Sequence, residues 1–313
     1  MSKTRAAVLF GALLFAGPAA AHHGASDTPG GWSGTAAVAP QPGADAAATS
    51  RLTAALSYQK LVDREPTYLL PLGAIGDHVA GLDLSYVHAF GPSVAMTGAI
   101  PLLGRWPAEE GGVSSFGLGD IRLGARFLPW LSSARDASLG LGLEFSFPSG
   151  GLRAREVPPP PPDGGFFVPI EEEPEAPRRG AGDIIVRSSV TYVQRWFSTL
   201  RLIVEVAVAT AFREEPNLLV DYGLNASWMP WSAVGGFLDL RTQTFLRDDA
   251  VGIDALQSQP RAAGDTMVTL SPGLLVRPTD GFILSASPQL PLTSVRTIEY
   301  GGSLAATFEL ASF

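Results

Sequence analysis

From Arg51 to the C-terminus, apolar and polar residues alternate along the chain in about a dozen separate stretches. The strictest runs from Ala137 to Phe147. Leu139, Leu141, Leu143, Phe145 and Phe147 take the odd positions, and Ser138, Gly140, Gly142, Glu144 and Ser146 the even ones. A strand sends successive side chains to opposite faces, so a period of two gives one apolar and one polar face. Leu200, Leu202, Val204, Val206, Val208, Thr210 and Phe212 repeat the pattern, with Arg201 and Glu205 on the other side. A helix would space its apolar residues three and four apart. Strands are accordingly predicted near 51–60, 78–90, 93–103, 116–129, 137–148, 182–196, 199–212, 218–229, 233–247, 264–277, 281–291 and 298–313, twelve in all.

The links between these strands alternate in kind. Short ones hold Gly91-Pro92, Ser132 to Asp136, Phe197-Ser198, Pro230-Trp231 and Pro278 to Gly281. The others fall at 61–77, 104–115, 149–181, 213–217, 248–263 and 292–297, two of them brief. Phe90, Trp130, Trp196, Phe197, Trp228 and Trp231 flank the short links, where an amphipathic ring meets a headgroup layer. Tryptophan in a soluble sandwich would sit at strand centres rather than ends. The pattern predicts an all-β, antiparallel, up-and-down transmembrane β-barrel of about twelve strands. Short turns and both termini would lie in the periplasm, and the long loop 149–181 outside.

Lys3 and Arg5, the apolar stretch Ala6 to Ala16 and the small residues Ala19 to Ala21 read as a signal peptide over 1–21. Residues 22–50 are small and rich in Gly, Pro and Ala, a flexible N-terminal segment or a small plug of the lumen; 51–313 is the barrel. No uncharged apolar run after residue 21 reaches the roughly 20 residues of a spanning helix. Removing Lys3 and Arg5 from a chain of net charge −8 leaves −10, with Lys60 as its one lysine, a composition that argues against nucleic-acid binding. No cysteine is present, which excludes disulfides and thiolate metal sites. The mean hydropathy of +0.18 suits a protein that wears apolar side chains outside.

Strand parity turns Asp83, Asp120, Arg122, Arg126, Glu144, Arg187, Arg201, Glu205, Asp221, Asp239, Arg241 and Glu309 inward. Charge inside a barrel either lines a selective path or forms an ion-pair network that fills the interior. Twelve strands lean toward the network, because wide open channels use about 16 to 18. Neither His78 nor His88 has a serine two positions away on its own face, so no acyl-transfer pair is written along one strand and no enzyme is expected. His22-His23 is a weak candidate for chelating copper or nickel; no cofactor is expected. In the loop, Phe166-Phe167 lies between the run Pro158 to Pro162 and the acidic residues Glu171 to Glu173, and is a candidate gate.

The run Phe116-Gly117-Leu118-Gly119-Asp120-Ile121-Arg122-Leu123-Gly124-Ala125-Arg126-Phe127, with the next strand closing on Pro148-Ser149-Gly150, resembles the outer-membrane proteins named for the meta-cleavage pathway of phenol degradation, distant relatives of fatty-acid and aromatic-hydrocarbon channels. The resemblance covers about 35 residues in detail and the rest only in architecture. It implies a bacterial outer-membrane channel or transporter for small, hydrophobic or aromatic, solutes. The alternative is a closed structural or interaction barrel that works through its extracellular loops. The C-terminal Phe313 resembles the terminal aromatic by which such barrels are handed to the assembly machinery. Leu304, Ala306, Phe308 and Leu310 are out of phase with it, and a bulge near Ala311-Ser312 would restore the register.

Overall fold

A computed structural model of the chain describes residues 49–61, 78–90, 93–106, 114–134, 136–149, 184–196, 199–212, 218–231, 233–247, 262–279, 282–294 and 298–310. The described residues form thirteen strands: β1 (Thr49–Leu61), β2 (His78–Ala89), β3 (Val94–Trp106), β4 (Ser115–Leu118), β5 (Ile121–Leu131), β6 (Ala137–Phe147), β7 (Ile185–Trp196), β8 (Leu200–Ala211), β9 (Leu219–Trp228), β10 (Val234–Phe245), β11 (Thr266–Thr279), β12 (Phe282–Pro291) and β13 (Ile298–Leu310). All pairings are antiparallel, between sequence neighbours except that β3 pairs with both β4 and β5, and β1 closes the ring on β13 from Ser50 opposite Leu310 to Leu61 opposite Ile298. Since β4 and β5 share one place beside β3, the wall is a closed barrel of twelve positions.

The alternation read from sequence decides which way each face turns. On β6, Leu141, Leu143 and Phe147 are exposed while Ser138 and Ser146 are buried; on β8, Val204, Val206 and Val208 face out while Arg201, Glu205 and Ala207 face in. Exposed Leu, Val, Ile, Phe, Tyr and Trp recur on strand after strand, an apolar outer surface far larger than a soluble monomer shows. Twelve-residue strands such as β7 and β8 span about 30 Å at a tilt near 40°, enough for an apolar band of about 25 Å. Trp130, Trp196, Trp228 and Trp231 are exposed at the short-turn end, as expected. A second belt rings the other end on four adjoining strands: Tyr300, Tyr58, His78 and Trp106, with Tyr58 Oη hydrogen-bonded to His78 Nδ1 at 2.8 Å.

The strand predicted over 116–129 is broken. Leu118 lies opposite Leu102 but Arg122 opposite Ala99, so four steps on one strand match three on the other. The additional residue is a bulge, and it switches the inner face from odd positions in β4 (Ser115) to even ones in β5 (Arg122). Pro101 of β3 has no N–H for a regular ladder. Its carbonyl accepts from Gly119 N at 2.8 Å. Ser149, just past the end of β6, clamps the break, donating to the Gly119 carbonyl at 2.6 Å and accepting from Ile121 N at 2.9 Å. Gly117 just before it has φ 156°, which an L side chain rarely adopts. The Gly-Leu-Gly-Asp and Pro-Ser-Gly texts are thus two halves of one joint. A second interruption lies between β11 and β12. The pairing jumps from Leu270 opposite Leu290 to Leu274 opposite Ala286, and the same register sets Pro272 against Pro288. Ser287 Oγ donates to the Pro272 carbonyl at 2.9 Å across that gap.

Candidate functional site: the barrel interior

Twelve strands about 4.8 Å apart, tilted near 40°, give a barrel of about 12 Å backbone radius. Long inward side chains therefore reach past their neighbours. Asp83 of β2 pairs with Arg122 of β5, two wall positions away, and Asp83 is 1% exposed. Arg187 of β7 pairs through Nη1 with Asp221 Oδ2 of β9 at 3.1 Å, and its Nη2 lies 3.6 Å from Glu205 Oε1 of β8. Thr191 Oγ1 donates to Glu205 Oε2 at 2.6 Å. Asp239 accepts from Arg241 Nε at 3.1 Å and from Asn225 Nδ2 at 3.2 Å. Glu144 stands opposite Arg187 in register and in the fields of Arg122 and Arg126. These groups form a charged band from β2 to β10 in which acids and arginines are interleaved.

Nine residues expected to face inward thus meet in one layer: Asp83, Arg122, Arg126, Glu144, Arg187, Glu205, Asp221, Asp239 and Arg241. Asp120 is buried at the bulge. Arg201 stands apart at the short-turn end of β8, opposite Arg195 of β7. Sequence reasoning missed Arg195, and also Arg51, Arg105 and Arg277. Each continues the inward parity of its strand, so extending the alternation to the strand ends would have found them. Residues 1–21, read from sequence as a signal peptide, His22-His23, the gate candidates Phe166 and Phe167, and Phe313 lie outside the described residues, as does the side chain of Glu309.

Apolar layers bracket the charged band. Toward the long-link end, Ile185, Ala209, Ala211, Leu219, Phe245 and Met267 pack together. Toward the short turns, Ala55, Met229, Phe237, Leu275, Ile283 and Ala305 form a second cluster, and Val193 with Ile203 a third. The Phe237 ring lies over Gly273, its partner across β10 and β11, where no Cβ fits without displacing it.

On this geometry the comparisons with known proteins bear directly. Over 87% of its length the chain is similar to an outer membrane channel from Pseudomonas putida F1, covering 98% of that chain with a TM-score of 0.56 at 9% identity. The fold is shared. The NanC porin superposes with a TM-score of 0.49 at 7% identity, over 83% of this chain and 100% of that one. The KdgM porin gives 0.46 at 7% identity, over 83% and 99%. No protein-family profile and no curated relative matches the sequence.

The outer surface carries a cross-strand serine–histidine pair that single-strand spacing does not reveal. Ser50 Oγ and His88 Nδ1 are 2.8 Å apart, and Tyr86 Oη donates to Ser50 Oγ at 2.9 Å. A nucleophile of this kind needs a third group to orient its base. Among the described residues the imidazole is flanked by the rings of Tyr86 and Phe90.

Proposed function

We propose that the protein is a bacterial outer-membrane channel for small solutes, hydrophobic or aromatic in character, with its short turns in the periplasm. The reading rests on one observation: the barrel is apolar outside and, within, alternates apolar and charged layers. A solute with an apolar body would leave water at the loop-lined mouth and gain about 25 cal/mol per Å² of buried surface. Inward arginines would hold its polar end, and no chemical step is involved. The resemblance around Phe116 to Phe127 supports the same solute class. Delivery to the assembly machinery through Phe313 belongs to this proposal.

The ion pairs linking β2 with β5 and β7 with β9 favour a second reading, a closed barrel acting through its loops. Planar-bilayer recording of the refolded mature protein separates the two. Stable single-channel steps that small aromatic solutes block are the expected result. Electrical silence in a correctly folded preparation would leave the closed barrel.

A further inference from the structure

The two rims of the barrel carry their aromatic residues differently. At the short-turn end Trp130, Trp196 and Trp228 sit on β5, β7 and β9, every second strand of that part of the wall. Among the described residues of the other end, rings with polar tips gather on four adjoining strands. Phe116, Phe147, Phe212, Leu246 and Leu292, which have no such tip, are exposed along the rest of that rim. Rings that only anchor a barrel in its bilayer form a girdle, whereas these form a patch.

Register lays the patch out. Tyr300 of β13, Lys60 of β1, His78 of β2 and Trp106 of β3 are successive cross-strand partners in one row, about 14 Å from the first strand to the last. Two residues back along β1 on the same outward face, Tyr58 lies beside all three rings, its centroid 6.0 Å from His78, 6.5 Å from Trp106 and 6.4 Å from Tyr300. His78 is within 23° of parallel to Tyr58 and within 17° of parallel to Trp106. Lys60 is, apart from Lys3, the chain's one lysine. Its Nζ lies 2.8 Å from Glu299 Oε2 in a surface pair. Such pairs are weak, and an ammonium has three N–H groups to share. Leu304, Leu56, Leu84 and Ile100 continue the outward face of the same four strands toward the middle of the wall, all exposed.

The chemistry of the row selects its occupant. Aromatic faces take the C–H face of a pyranose, and the tips of Tyr, His and Trp reach its hydroxyls. An ammonium among them meets a phosphate. A phosphorylated sugar held at the rim of an apolar band by its own acyl chains is the headgroup of a glycolipid. We propose that this patch binds a phosphorylated glycolipid of the outer leaflet, with sugar against Tyr58, His78, Trp106 and Tyr300, phosphate on Lys60, and acyl chains along the leucines below. The inference rests on the outward orientation of the long links that belongs to the channel reading.

Native mass spectrometry of the full barrel in detergent, titrated with lipid A and separately with phosphatidylglycerol, tests it. Both lipids carry phosphate and acyl chains, and only lipid A carries the sugar. Lipid A is expected to bind about tenfold more tightly. Tyr58→Leu/Trp106→Leu is expected to lose that preference, Lys60→Gln to weaken lipid A binding about threefold, and Lys60→Arg to keep it. Trp130→Leu/Trp196→Leu, at the other rim, should leave the preference unchanged. Each variant is first checked for the heat-dependent gel shift of a folded barrel. Equal affinity for the two lipids, an unchanged preference in the Tyr58/Trp106 variant, or an equal loss in the Trp130/Trp196 variant overturns the site. Orientation is read separately, by antibody staining of intact cells that carry an epitope inserted within 149–181. Absence of staining overturns the outer-leaflet assignment even where binding in detergent persists; staining without the lipid preference removes the patch and leaves the channel reading in place.

Discussion

At the scale of single residues, the interior is made of pairs whose members depend on each other. Phe237 and Gly273 are the sharpest case, because the ring occupies the space a Cβ would need. Gly273→Ala is expected to destabilise the barrel by about 1–3 kcal/mol, the usual cost of overpacking. In a Phe237→Ala background the same change should cost about 0.5 kcal/mol or less. Urea unfolding in lipid vesicles across the double-mutant cycle measures the coupling; additive losses would show that the ring does not depend on the glycine. Such pairs were not legible in the sequence. Parity identified Asp83, Arg187 and Asp221 as inward residues, but strand tilt and stagger decide whom they meet. Asp83 with Arg122 and Arg187 with Asp221 each join strands two wall positions apart.

At the scale of strands, alternation was a sufficient guide wherever both ladders run unbroken, as in β7 and β8, which pair from Ile185 opposite Ala211 to Trp196 opposite Leu200. It failed where one strand takes an additional residue. The text from Phe116 to Phe127 shows no interruption, because Gly119 and Asp120 are compatible with either phase. The bulge is fixed by Pro101 of β3 and by Ser149 just beyond the end of β6, far from it in sequence. The missed arginines stand where alternation ends, with Arg277 beside a register shift near Thr279. The facing prolines between β11 and β12 carry their own expectation. Backbone amides around Ser271, Gly273 and Ser287 should exchange with deuterium faster than those of β7 and β8 in the same nanodisc sample. Equal protection would mean that the ladder is continuous through Pro272 and Pro288.

At the scale of the molecule, closure is the property on which the rest depends. The lipid interior contains no water to satisfy an open sheet edge, so a barrel is stable only when its first and last strands meet. Removing residues 298–313 is expected to abolish the heat-shifted folded species on a gel; a truncated chain that still shifts would show that β1 and β12 can seal without β13. The shortest closing pair, Leu61 with Ile298, closes a loop of 298 − 61 = 237 residues, at a chain-entropy cost of about 5 kcal/mol. No shorter route to the native ring exists among the strands. This sets a condition on biogenesis. An emerging polypeptide with its apolar alternation complete through β12 but no partner for its open edges is a ribbon with an apolar face, and it must be shielded from its own copies until β13 arrives. The final strand is therefore the chain's timing element: its delivery decides whether the preceding 250 or so residues become a sealed barrel or a precipitate.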